Sequence, residues 1–410
     1  MKVNYDIIIR TMEKIITDEN KIGELLSRGV EEIVVKDEFK NTLLSGKQLR
    51  VKLGIDPTGP KIHLGRAIPL RKLREFQKLG HQIVFIVGDF TAQVGDASDK
   101  SNKRPMLTKA EIDENLKDYK NQVSKILDIS KTEFVHNSDW LSKLSFEELI
   151  KLSECFTVQQ MLARRNFKER FEAEKEISLR EFLYPIMQGY DSVAIKADVE
   201  IGGFDQLFNL KAGRVLQDYY GMPKQTILTT TMLEGTDGNK MSTSQGNIIS
   251  IVDEPFDMFG KIMSLRDELI IKYFMLCTDV SLKEIEKLEK EMKKGANPRD
   301  IKIKLASEIV TLYHNEKSAT LAKNSFIETF QKGGTPEDVK EYLVKKEEEL
   351  GTVFVREGIV ASKTEWRRLV DAGAISDKDD KTIINPKELV SENVFKIGKK
   401  RFAKIIFEQQ

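Results

Sequence analysis

Cysteine is almost missing from this 410-residue chain: only Cys155 and Cys277 occur, far apart and in stretches of helical character. Two such residues build neither a disulfide framework nor a zinc ribbon, and both are expected as buried apolar fillers in a reducing compartment. The glycine loops that usually cradle phosphate are missing as well. No GxGxxG and no HExxH occurs, and the nearest approach to a Walker loop, GDASDKS, has Asp99 where a glycine must precede the lysine. An excess of one charge is also lacking, since 66 Lys and Arg face 65 Asp and Glu for a net charge of +1. That balance excludes a strongly basic nucleic-acid coat, so any RNA contact must come from local patches. The N-terminal MKVNYDIIIRTMEKIITDENKIGELL alternates charge with Ile and Leu at helical spacing and holds no uninterrupted apolar core. It reads as neither a signal peptide nor a membrane span, which predicts a cytoplasmic protein without membrane contact. Internal repeats and low-complexity segments are absent too.

What the chain does contain is regular alternation. Short β-branched runs recur at 51–55, 83–87, 134–136, 198–201 and 226–230, separated by helical pattern. Alternation of this kind predicts an α/β fold with a doubly wound parallel sheet, in a chain long enough for two or three domains. Thr108 with Glu111, Ser145 with Glu148 and Ser178 with Glu181 read as capping boxes that start helices. Such sheets bind ligands beyond the carboxyl ends of their strands, where Asp56, Asp89, Asn137, Gly202 and Gly203 fall. From Met258 onward the strand signal ends, and 262–330 reads as amphipathic helices interrupted at Gly295-Ala296-Asn297-Pro298. Gly333-Gly334-Thr335-Pro336 and the charged run 345–349 then set off a tail of different character. The domains expected are 1–235, 236–335 and 345–410.

Three segments carry chemistry. In LGIDPTGPKIHLGR an apolar strand runs through a Pro/Gly turn into a helix starting near His63, so backbone N–H groups and an imidazole converge where phosphate binds well. Lys240-Met241-Ser242-Thr243-Ser244 is a glycine-bounded loop bearing a cation, and Lys100 and Arg104 add positive charge able to close on a polyphosphate. Attack of a carboxylate on an α-phosphorus needs no general base, because the nucleophile is already ionised. It needs alignment and neutralisation of the leaving pyrophosphate. In SLREFLYPIMQGYDSVAIKA, Tyr184, Gln188 and Asp191 stand at i, i+4 and i+7, three polar groups on one face of an apolar helix. Burying that face with nothing to bind is costly, and a ligand with an ammonium and a phenol satisfies it. On pattern alone a solvent-facing stripe remains the alternative.

His63-Leu64-Gly65-Arg66 and the Lys240–Ser244 string resemble, in this order, the HIGH and KMSKS signatures of class I aminoacyl-tRNA synthetases. Tyr184-x-x-x-Gln188-x-x-Asp191 resembles the Y-x-x-x-Q-x-x-D signature of the tyrosyl-tRNA synthetase family, and IGGFDQLFNL its GG-x-DQ-x-x-N. The likeness covers nearly the whole chain. It implies a Rossmann-like catalytic domain, an α-helical domain on the anticodon side, and a small α+β C-terminal RNA-binding domain like that of a small ribosomal protein. It also implies a homodimeric, bacterial-type enzyme that makes tyrosyl-adenylate from L-tyrosine and ATP and passes tyrosine to tRNA(Tyr). Mg2+ is expected to be held mainly by the nucleotide, with no metal site of the protein's own. By this resemblance the catalytic residues are Thr58, His63, Arg66, Lys100, Arg104 and Lys240. ATP is expected at Gly54, Asp56, His63, Gly65, Gly203, Asp205, Lys240 and Ser244, and tyrosine at Lys52, Asp96, Tyr184, Gln188, Asp191 and Gln206. RNA is expected at Arg367, Arg368, Lys399, Lys400 and Arg401. Arg66 stands where HIGH ends in histidine, Thr243 where KMSKS has its second lysine, and Ala97 and Asp99 alter the usual GDPSGK. Lys52 occupies a position where some members have tyrosine. The rival readings are a tryptophanyl enzyme, against which Gln188 and the tail weigh, and an RNA-binding protein on a degenerate scaffold, suggested by Arg66 and Thr243.

Overall fold

The structure is a computed structural model and describes residues 14–96, 106–243, 246–331, 339–378, 381–398 and 401–407. Runs of β-branched and aromatic residues with little charge make the central strands. The strands β1 (Val30–Val34), β2 (Arg50–Ile55), β3 (Gln82–Val87), β4 (Thr132–His136), β5 (Val199–Gly203) and β6 (Thr226–Thr230) form one sheet in the order β1-β6-β5-β2-β3-β4. The last five are parallel, as expected, and helices cover the sheet. Ile83, Val84, Phe85 and Ile86 are wholly buried, each contributing about 1.5–3 kcal/mol of hydrophobic free energy, as in a strand covered on both faces. β1 was not expected. Its Glu31 and Glu32 break the apolar run, and it pairs antiparallel to β6 at the sheet edge with a register shift between Val30 and Glu32.

β3 and β4 lie on one side of β2, and β5 and β6 on the other, so the carboxyl ends diverge between β2 and β5. The three expected capping boxes all form, and Thr157 with Gln160 makes a fourth. After β6 come the helices Pro255–Met263, Ile270–Cys277, Leu282–Lys293 and Pro298–Tyr313. The predicted interruption is there: Gly295 takes φ +94°, Asn297 caps, and Pro298 opens the next helix.

The described residues divide into two compact units, the first ending at Asn315 and the second beginning at Glu316. The expected break near 235 is therefore not a division in the structure. Backbone hydrogen bonds from Leu64 N to Ile249 O (2.9 Å) and from Ile251 N to Ile62 O (3.0 Å) stitch the segment after the loop to the start of the Leu64–Lys78 helix. Arg28 adds to this by donating to the carbonyls of Met275, Thr278 and Val280 at the end of the Ile270–Cys277 helix.

The second unit holds the helix Glu316–Gln331 and a sheet of β7 (Glu341–Val344), β8 (Ile375–Asp377), β9 (Asn393–Ile397) and β10 (Arg401–Phe407), ordered β7-β10-β9-β8. The helices Leu350–Arg356 and Lys363–Asp371 pack Phe354 and Trp366 onto its core. A Cβ on Gly351 would lie 2.3 Å from the Trp366 indole nitrogen, so glycine is required there. β7 starts before the expected boundary at 345, because its pairing with β10 is parallel and leaves no local hairpin signal. Cys277 is buried as expected, whereas Cys155 is only half-buried, beyond the end of the Phe146–Ser153 helix. No described helix is long and apolar enough to cross a membrane.

Candidate active site

A cavity of about 700 Å3 opens beyond the carboxyl ends of the parallel strands. Asp56, Gly88, Asn137, Gly203 and Thr230, each at or just past a strand end, all line it. Gly88 lets β3 approach closely: a Cβ there would meet Asp56 Oδ1 at 2.2 Å. Asp56 Oδ1 accepts from Thr91 Oγ1 (2.7 Å) and its Oδ2 from the Tyr184 hydroxyl (3.0 Å). Burial, then the neighbouring Asp56, raise the Tyr184 phenol well above its ordinary range, so it stays protonated and donates.

His63 caps the Leu64–Lys78 helix, its Nδ1 accepting from Arg66 N at 3.3 Å. Burial first, then Arg66 and Lys240, hold the imidazole down at about 3. It is therefore neutral, and with Nδ1 acting as acceptor its proton sits on Nε2. Arg66 donates to Thr58 Oγ1, and the Tyr119 phenol faces the same guanidinium. Across from this helix start, Lys240 pairs with Asp205 at 2.9 Å. The loop that carries Lys240 is tied down by Asn247, whose side chain accepts from Ser242 N (2.8 Å) and donates to Asp237 (2.8 Å) and to Lys240 O (3.1 Å). Met241 is buried against the helix start, its sulfur 3.4 Å from Gly65 N. A neutral imidazole, the positive end of a helix, and two cations thus share one wall.

The polar stripe of the Leu179–Ala194 helix is inside, which rules out the solvent-facing alternative. Asp191 is 3% exposed and takes Trp140 Nε1 at 2.8 Å and Asn137 Nδ2 at 3.4 Å. Burial raises its carboxyl to about 7, against the opposing pull of Lys52 and of those two donors. Gln188 reaches the cavity while its Nε2 donates to Glu200 at 3.2 Å. On another wall, Asp96 accepts from Gln206 (2.7 Å) and Asn209 (3.3 Å), with the charge of Arg164 nearby.

The structure brings Gly54, Asp56, Thr58, His63, Gly65, Arg66, Asp96, Tyr184, Gln188, Asp191, Gly203, Asp205, Gln206 and Lys240 to this one cavity. Lys52 is a correction: it does not line the cavity but lies buried behind Gln188, paired with Glu200. Lys100, Arg104 and Ser244, with Ala97 and Asp99, lie outside the described residues. Asp89, at a strand end, turns instead to His136 and Ser138. Sequence reasoning missed Thr91, Trp140, Glu200 and Asn209. Glu200 had a signal, a carboxylate inside the apolar run VEIGG, and a buried indole N–H such as that of Trp140 always needs an acceptor.

In the second unit Arg367 and Arg368 are exposed on the Lys363–Asp371 helix. Arg401 is engaged by Ile359 O (2.7 Å) and Glu365 (2.9 Å), which leaves it less available to a phosphate. Lys399 and Lys400 lie outside the described residues.

Residues 44–331 match the sequence profile of the tRNA synthetases class I (W and Y). The chain is 46% identical to the tyrosine–tRNA ligase of Carboxydothermus hydrogenoformans, over 94% of this chain and 98% of that one. It is 44% identical to the tyrosine–tRNA ligase of Thermotoga maritima, over 95% and 98%. Among solved structures, the fold is similar to that of the Archaeoglobus fulgidus tyrosyl-tRNA synthetase complexed with L-tyrosine, with TM-score 0.60, 24% identity, and coverage of 75% of this chain and 100% of that one. The truncated mitochondrial tyrosyl-tRNA synthetase of Coccidioides posadasii is similar at TM-score 0.61 and 24% identity, covering 74% and 91%.

Proposed function

The chain belongs to the tRNA synthetases class I (W and Y), and from that membership we infer that it activates L-tyrosine with ATP and transfers it to tRNA(Tyr). The observation that carries the choice of tyrosine is Asp191, a buried carboxylate at the cavity wall, held by two N–H donors and still able to accept from a phenol. Tryptophan offers no hydroxyl, and the relatives that match over nearly their whole length are named for tyrosine.

In this reading Tyr184, Gln188, Asp96 and Gln206 surround the substrate ammonium, leaving its carboxylate directed at the α-phosphate. Gly203 and Asp205 meet the ribose, and Gly54, Asp56 and Gly65 leave room for the nucleotide. The neutral His63 donates from Nε2, and the helix N-terminus, Thr58, Arg66 and Lys240 neutralise charge on the departing pyrophosphate. Lys100 and Arg104 are proposed for the same duty, and Ser244 for ATP binding. Among the described residues no group of three His, Cys, Asp or Glu side chains is arranged to hold a metal ion. Mg2+ is proposed to enter on the phosphates of the nucleotide. The test is amino-acid-dependent pyrophosphate exchange with each of the twenty amino acids. Tyrosine alone should support it, and equal exchange with tryptophan or phenylalanine would refute the assignment.

Lys240→Ala is expected to slow adenylate formation about 10- to 150-fold, the worth of one charge-assisted contact of ~1.5–3 kcal/mol made in the transition state. Tyrosine binding, measured by equilibrium titration, should change less than about twofold. Equal losses in both would make the loop a structural element only.

A homodimer is proposed on apolar exposure. Phe146 and Ile150, one turn apart on a single helix face, are 78% and 56% exposed, and Val158, Phe171 and Leu179 on the next helices are exposed as well. Phe146→Asp with Ile150→Glu should yield a monomer by light scattering, and an unchanged mass would remove this face from the interface. A cytoplasmic location belongs to the same proposal, as does a C-terminal domain that includes β7.

A further inference from the structure

Lys52 and Glu200 are register partners on β2 and β5, 3.1 Å apart, with side chains 1% and 2% exposed. Neither lines the cavity. A buried ion pair is weak support for stability, because taking two charges out of water offsets most of their attraction, and a well-packed apolar pair often serves better. The neighbours Val51, Leu53, Val199 and Ile201 are such buried apolar residues. The pair's other partners point to a different use. Lys52 Nζ donates to Gln188 O at 3.3 Å, and Glu200 accepts from Gln188 Nε2 (3.2 Å), Ser192 Oγ (3.2 Å) and Gln225 Nε2. Gln188 and Ser192 flank Asp191 on one helix.

Asp191 meets neutral donors from the segment after β4, Trp140 and Asn137. From its own helix the protonated Tyr184 faces it, with Asp56 beyond, and from β2 and β5 the charged groups acting on it are Lys52 and Glu200. Two buried carboxylates, Asp191 and Glu200, therefore share one buried ammonium among the described residues. We propose that Lys52 is a positioning residue for substrate selection: fixed by Glu200, its ammonium favours the charged form of Asp191 that reads the phenol and holds the Gln188 backbone in place beside it. This rests on the tyrosine reading above.

Without the ammonium, Asp191 loses the cation that opposes its burial and takes a proton more readily. A protonated Asp191 is no longer an unpaired charge when phenylalanine docks, so the penalty that rejects phenylalanine shrinks. The experiment compares the full-length wild type, Lys52→Met, Lys52→Met/Glu200→Gln and Lys52→Arg. Pyrophosphate exchange is measured with tyrosine and with phenylalanine from pH 6 to 9, alongside thermal unfolding. Lys52→Met should lower the tyrosine-to-phenylalanine ratio of kcat/KM by about tenfold or more, the scale of one charge interaction. Its pH midpoint for tyrosine KM should move upward. Removing Glu200's charge as well should restore much of the ratio, because Asp191 is then the one remaining carboxylate, and Lys52→Arg should stay near wild type. A wild-type ratio and pH profile in Lys52→Met overturns the proposal, as does a double variant no better than the single one. Should Lys52→Met fail to fold, Glu200→Gln decides: a midpoint moved downward supports the proposal and an unmoved one overturns it. If the wild type itself shows no tyrosine-dependent exchange, the tyrosine reading fails first. An active wild type with an indifferent Lys52→Met sinks this inference alone.

Discussion

Asp191→Asn is expected to lower kcat/KM for tyrosine by about 10- to 150-fold, the equivalent of the ~1.5–3 kcal/mol that a charged acceptor contributes to a buried hydrogen bond. The KM for ATP should stay within about twofold, since Asp191 lies apart from the wall formed by His63, Arg66 and Lys240. The pH dependence has a definite sign. Burial raises the Asp191 carboxyl from its ordinary 3.8 to about 7, so the free site becomes a better phenol acceptor as pH rises through 7. Tyrosine KM should therefore fall between pH 6 and 8 in the wild type and stay flat in Asp191→Asn. Stability runs the opposite way. Between pH 3.8 and 7 the unfolded chain loses the proton that the folded chain keeps, so this group's contribution to stability declines as pH rises across that window and is level above it. The uncharged variant escapes that decline and should unfold at an equal or higher temperature than wild type at pH 8. A variant that lost both activity and stability at pH 8 would mean that Asp191 is a structural anchor and not a substrate acceptor.

The same residue shows why some of the site was legible and some not. Tyr184, Gln188 and Asp191 were readable because helical periodicity places them on one face, and a polar face on an apolar helix has few explanations. His63 and Asp56 were readable because the strand, turn and helix start lie within a dozen residues, where local rules decide. Trp140, Asn137 and Glu200 act on Asp191 from β4's far end and from β5, and only the strand order, with β5 beside β2, brings them together. Nothing local in the sequence encodes that neighbourhood. Lys52 was assigned to the right region but lies one layer deeper: its strand position is legible, whereas its pairing with Glu200 on β5, which keeps it behind Gln188, depends on the strand order. β1 and β7 escaped for a related reason, since each is a short strand whose partner lies far away in sequence, β6 and β10.

Deleting residues 339–410 is expected to separate two activities that the full chain combines. The sheet β7-β10-β9-β8 with its two helices has its own core of Phe354, Trp366, Phe395 and Ile405, and none of its residues lines the cavity. The match to the synthetase profile ends at residue 331, before this sheet begins. Tyrosine-dependent pyrophosphate exchange by the truncated protein should thus remain within about twofold of wild type. Affinity for tRNA should fall about 100-fold, the loss of ~3 kcal/mol expected if Arg367, Arg368, Lys399 and Lys400 each give up a phosphate contact. The salt dependence adds a second reading: log affinity against log salt should be steeper in the full chain by about 0.9 per phosphate contact, or roughly 3–4 in all. Arg401 should count little toward that slope, because Glu365 already holds it, and Arg401→Ala should show itself mainly as a lower unfolding temperature. The measurements are exchange, tRNA charging and tRNA titration at several salt concentrations on one truncated preparation whose fold is verified by circular dichroism. Undiminished tRNA affinity would remove the second unit from the RNA-binding surface, and lost exchange in a folded truncated protein would show that the catalytic unit depends on it.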